Sequence, residues 1–173
     1  MYFCDLLNPI HMKKLFVIAL CMLLSQMTWA QKFSVPEIPG EIEKSEYVNY
    51  EKDFIRCMDW LESHAPSASQ RKEVNSFVLW WLSGTPDVHI EMSTDVVNFQ
   101  NGDLIILYIG GWAKYSINNP DATYADGSMA GIETVINYYL KHKDSIGKDK
   151  GVEELIKLKN KGTLRQHVES QWK

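Results

Sequence analysis

In His89-Ile90-Glu91 a histidine and a carboxylate stand two residues apart. On a strand such side chains share a face, and imidazole beside carboxylate is the beginning of a metal site. No third ligand follows at a recognisable spacing. The same alternation also describes the solvated side of a strand, so His89 and Glu91 remain weak candidates and no metal is expected. Of the other histidines beyond the first thirty residues, His64, His142 and His167, none belongs to an HExxH pair. A calcium loop needs oxygen ligands at its first, third and fifth positions before a glycine. Before Gly127 those positions hold Ala122, Tyr124 and Asp126, and before Gly151 they hold Ile146, Lys148 and Lys150, so both loops fail. Ser128 follows a glycine, but Ala130 stands where a nucleophile elbow needs a second one. No glycine-rich phosphate loop occurs, and no cofactor is expected. Catalytic residues cannot be assigned from spacing. An enzyme, such as a hydrolase built around His89, Glu91 and Cys57, would require tertiary proximity that spacing does not supply. Cys57 lies between Ile55 and Met58 on an amphipathic run, where a free thiol is expected to be buried and inert.

The aromatic residues point to binding rather than catalysis. Trp60, Trp80, Trp81, Trp112, Tyr115, Tyr138 and Tyr139 are many for a small helical domain. A few helices cannot bury every ring, and buried Tyr and Trp need polar partners. Trp80, Trp112 and Tyr115 are the binding-surface candidates, in a groove suited to a protein, a peptide or a glycan. The competing reading is an aromatic-rich core.

These side chains must be held by elements organised around residues 101–118. Leu104 to Ile109 is an unbroken apolar run, followed by Gly110, Gly111 and Trp112. Apolar residues fall on every side of a helix drawn through it, as in a central helix surrounded by neighbours. Asn101 can cap that helix, with Asp103 in its first turn. The alternative is α+β, with Asn101-Gly102 turning a hairpin over residues 96–109. Strict alternation is missing from Leu104 to Ile109, which favours the helix. Gly110 and Gly111 then permit close approach of a neighbour.

Around this centre the periodicity predicts a first helix over about 41–63, with Val48, Phe54, Ile55, Met58 and Leu61 buried and Trp60 flanking. Pro66 breaks it. A second helix, capped by Ser67 or Ser69, buries Val74, Phe77, Val78, Trp81 and Leu82, with Leu79 and Trp80 widening the apolar face. It stops at Gly84 and Pro86. Residues 88–92 read as a short extended segment, and Thr94 to Phe99 as a single turn. Beyond the loop at 118–128, Ser128 opens a helix lined by Met129, Ile132, Val135, Ile136, Tyr139 and Leu140. Asp149 precedes another, with Val152, Leu155, Ile156 and Leu158, and Thr163 caps a short last one. The expected fold is all-α, a single domain of five to six helices over residues 41–173.

Residues 1–30 read as an over-extended start plus a signal peptide. Met12-Lys13-Lys14 is basic, Leu15 to Leu24 is apolar, and Thr28-Trp29-Ala30 offers a cleavage site before Gln31. The apolar run is too short for a comfortable span, so no transmembrane segment is expected after leader removal. Leu20 is too large for lipoprotein processing at Cys21. Residues 31–40, with Pro36 and Pro39, form an extended lead-in. The expected location is exported, periplasmic or extracellular. The remaining 143 residues suit one domain with a proper core. They carry 16 Lys and Arg against 21 Asp and Glu, which makes nucleic acid a poor partner. Charge is uneven: 16 of those acids precede residue 141, and 9 of the bases follow residue 140, so the tail can dock on the acidic body or on an anionic partner, or simply be a solvated helix face.

The segments WWLSGTPDVHIE, LIILYIGGWAKYSI, AGIETVINYYLKHK and KGVEELIKLKNKGTL resemble an uncharacterised family of small exported bacterial proteins. That resemblance spans roughly residues 50–165 and implies a mostly helical fold. It supplies no catalytic residue. The functional expectation is a non-enzymatic interaction or structural module of the cell envelope.

Overall fold

The computed structural model describes residues 33–172. The chain divides into two units, Met1–Ser34 and Val35–Lys173, and the account below concerns the second. The leader, the start at Met12 and the cleavage site before Gln31 lie outside the described residues. Among those residues the fold is all-α, with no strand. A 3-10 helix, Lys44–Tyr50, runs into α1, Glu51–Ser63. There follow α2, Arg71–Gly84; α3, Gly102–Asn118; α4, Tyr124–Ile146; α5, Lys150–Asn160; and α6, Leu164–Glu169. No helix is long and apolar enough to cross a membrane among the described residues.

The central run is a helix, and the hairpin over residues 96–109 does not form. Asn101 takes the N-cap position, and its side chain accepts a hydrogen bond from Asp103 N at 2.9 Å. Gly102 is the first helical residue and lacks the positive φ that a hairpin turn of this type needs. α3 packs on α1, α2 and α4, burying Leu104, Leu107, Tyr108, Trp112 and Ala113. Its glycines are contact points. A Cβ on Gly110 would sit 2.3 Å from Met58 Sδ, and one on Gly111 2.5 Å from Thr134 Oγ1. From the facing helix, Gly131 lies under the Tyr108 carbonyl, where a Cβ would come within 2.5 Å. Tyr108 completes this seam by hydrogen bonding its hydroxyl to buried Ser128 at 2.8 Å.

Arg71 ties the surrounding helices to this centre. Its guanidinium is buried and pairs through Nε with Asp103 at 2.8 Å. It also lies 5.0 Å from the Tyr138 ring centroid and reaches the Leu61 and His64 carbonyls at 3.4 Å. One side chain from the start of α2 thus joins the end of α1, the start of α3 and the middle of α4. Charge, carbonyls and π density together offset the burial of this cation, although its Nη2 has no hydrogen-bond partner among the described residues.

Several boundaries differ from the sequence reading for identifiable reasons. The expected helix over 41–63 is 3-10 up to Tyr50. Trp81 Nε1 donates to the Tyr47 carbonyl at 3.0 Å, and the Glu51 amide bonds Val48 O instead. Val48 is exposed as a result. α2 starts after Gln70, which makes no side-chain cap, and neither Ser67 nor Ser69 serves. Residues 88–92, expected to be extended, form no strand and no helix. α4 begins at Tyr124 rather than at Ser128, because Thr123 and Asp126 form a capping box. Leu79 and Leu140 are exposed rather than buried. Thr163 stands at the N-cap of α6, but its hydroxyl donates to the Leu158 carbonyl at 3.4 Å.

The basic tail docks on the acidic body. Lys159 pairs with Glu133, and Arg165 with Asp126 at 2.7 Å. Behind it, buried Asp149 caps α5 by accepting from Val152 N at 3.2 Å and also accepts from Gln100 N at 2.8 Å. That second bond fastens the entry to α3 against the C-terminal helices.

Candidate functional site

A cleft of about 670 Å³ opens where the start of α1, the loop after α2, the end of α3 and the start of α4 meet. α3 contributes Trp112, α4 contributes Tyr124, and the C-terminal segment contributes Trp172. The three rings touch edge to face or tilted, with centroids 5.6–6.1 Å apart. Local sequence explains the placement. Thr123 caps α4 and so fixes Tyr124 as its first residue. Gly127 then leaves room for the Trp112 indole, since a Cβ there would lie 2.1 Å from its Nε1. Tyr124 is 43 % exposed and forms the open wall, whereas Trp112 is 1 % exposed and forms the floor. Trp172 Nε1 is buried without a hydrogen-bond partner, so packing alone holds that ring.

The charged residues lining this cleft are Glu51 and Asp87, with His89 beside them. Neither carboxylate belongs to an ion pair among the described residues. Two of the polar side chains nearby are already committed. Asn119 Nδ2 donates to the Tyr115 carbonyl at 2.9 Å, and Thr123 Oγ1 to the Asp126 carboxylate at 2.7 Å. That second bond and the Arg165 guanidinium hold the Asp126 carboxyl down to about 2.

The residues singled out from sequence are dispersed. His89 reaches the cleft, but Glu91 is not among its lining residues, and both side chains are exposed. No cluster of three or more His, Cys, Asp or Glu side chains placed to hold a metal occurs among the described residues. Cys57 is fully buried in α1, and burial pushes its thiol up to about 12, so it is not a nucleophile. This removes Cys57 from any hydrolase arrangement with His89 and Glu91. His64 stacks on Trp60 at the end of α1, with centroids 4.1 Å apart. His142 marks a kink in α4 at φ −122°, and burial lowers its basicity. His167 hydrogen bonds the Asp95 carbonyl at 3.2 Å.

The three aromatic candidates part company. Trp80 leaves the core and stacks on Tyr47 at 5.0 Å, beside a more open hollow of about 730 Å³ edged by Glu41, Glu43 and Glu46. Tyr115 edges a small hollow of about 250 Å³ near Lys114. Trp112 alone joins other rings in the cleft, and as floor rather than as an exposed platform. Tyr124, Trp172, Glu51 and Asp87 escaped the sequence reading because no spacing relates them. The capping pair Thr123 and Asp126 was the one local signal that would have placed Tyr124 at the head of a helix. No protein-family model matches the chain, and neither a curated protein nor a solved structure is significantly similar to it.

Proposed function

We propose that this protein is a non-enzymatic binding module of the cell envelope, exported to the periplasm or beyond, and that it binds through the aromatic cleft. The observation that carries the reading is the convergence of Trp112, Tyr124 and Trp172 from three separate parts of the chain around one concave site. Concave sites lined by rings and a few polar groups are where small ligands and peptide side chains bind. The leader pattern over residues 12–30 supports the location. The partner class is a peptide, a glycan or a segment of another protein.

The test is a titration of the isotopically labelled domain with envelope peptides and glycans, followed through the indole N–H resonances. A binding module should shift the Trp112 and Trp172 signals saturably, with Trp80 unmoved. If no such compound moves the cleft indoles, or if Trp80 alone responds, the cleft is not the binding site.

A further inference from the structure

We infer that the cleft takes a cationic group, an alkylammonium or guanidinium carried by a small amine or by a Lys or Arg side chain of a peptide. This rests on the reading of the cleft as the binding site and names the chemistry that fits it. Charge complementarity is the first argument. Among the described residues, Glu51 and Asp87 line the cleft without a salt-bridge partner, and no Lys or Arg lines it. The walls add π density, which attracts a cation within about 6 Å of a ring centroid. The ring arrangement is the second argument. A sugar stacks on an open aromatic face, but Trp112 is packed edge-on by Tyr108, Tyr124 and Trp172 and is closed to solvent. An ammonium needs the face of one ring only, and Tyr124, 43 % exposed, is the most open of the three. The third argument is hydrogen bonding. Thr123 Oγ1 and Asn119 Nδ2 are engaged within the protein and the carboxylates are not, which leaves the Ser116 and Tyr124 hydroxyls open to a neutral ligand.

Calorimetry and indole N–H shifts test this with agmatine and cadaverine as free amines. Blocked Gly-Arg-Gly and Gly-Lys-Gly tripeptides represent the peptide source, the acetyl-lysine tripeptide is the charge-free control, and chitotriose is the neutral glycan. The cations should bind, and binding should weaken as salt rises, because exposed charge pairs are screened. Asp87→Asn and Glu51→Gln should each weaken it by roughly two- to five-fold, with the fold intact by circular dichroism. Tyr124→Leu should weaken it as well. Preference for the tripeptides over the diamines assigns the ligand to a peptide, and the reverse assigns it to a free amine. Equal binding of the acetyl-lysine peptide, or affinities indifferent to salt and to both carboxylate variants, would overturn the inference. Chitotriose moving the cleft indoles while the cations do not would also overturn it, yet would leave the binding module standing. Silence of the cleft indoles toward every probe would remove both.

Discussion

Cys57 shows how burial sets chemistry at a single residue. The thiol sits at 0 % exposure between α1 and the core, and losing hydration penalises the thiolate. Native Cys57 should therefore react slowly with a thiol reagent and quickly once unfolded in urea; fast labelling of the native protein would contradict its placement. Glycine contacts separate in the same concrete way. At Gly131 an added methyl meets the Tyr108 backbone carbonyl, which cannot move alone, so Gly131→Ala should cost roughly 1–3 kcal/mol. At Gly111 the added methyl would meet Thr134 Cβ at 2.8 Å, which rotation of that side chain does not move, so Gly111→Ala should cost about as much as Gly131→Ala and Gly111→Leu more. Gly102 has nothing within 4 Å of its missing Cβ, and Gly102→Val should stay within about 0.5 kcal/mol of wild type. Denaturant midpoints give the order. A severe Gly102→Val beside a silent Gly111→Leu would be the signature of a hairpin and not of α3.

Helix ends carry the electrostatics of the individual elements. Asp126 closes the capping box of α4 and pairs with Arg165 of α6, so one carboxylate fastens the first turn of a long helix to the C-terminal one. Its folded pKa, about 2, lies below its ordinary value of 3.8. The folded state therefore holds the proton less tightly than the unfolded chain does. That stabilisation is complete above about pH 4 and is lost as pH falls toward 2. Urea midpoints measured from pH 7 down to pH 2 should fall across this window. In Asp126→Asn the midpoint should start lower at pH 7 and decline less below pH 4; parallel curves would show that Asp126 contributes nothing to acid sensitivity. The same residues explain which boundaries were readable. Asn101 announces α3 as a cap followed by an apolar run, and Asp149 precedes the periodic run of α5, where the structure makes it the cap. The start of α4 depended on recognising Thr123 with Asp126, a pair embedded in a loop rich in turn formers. The 3-10 stretch before α1 depended on Trp81 claiming the Tyr47 carbonyl from another helix, which no local pattern encodes.

At the scale of the whole molecule, a charge-asymmetric chain closes on itself. The basic tail pairs with Glu133 and Asp126, and its final aromatic residue, Trp172, completes the cleft. The leader belongs to the same scale. Mass spectrometry of the exported protein should give a chain beginning at Gln31, and a mass retaining Met12 to Ala30 would make that segment an anchor. The all-helical class, the central helix, the buried thiol and the close packing at Gly110 and Gly111 followed from sequence alone. Each depends on local periodicity, on capping, or on the absence of a side chain, and those are written along the chain. The cleft required the tertiary structure. Glu51, Asp87, Trp112, Tyr124 and Trp172 are separated by long intervals of sequence, and none has a spacing that relates it to another. Their meeting follows from how the helices pack and where the tail docks. Trp112, the one ring foreseen, became the floor of the cleft because packing against Tyr108 and Gly127 decided how its indole is placed there.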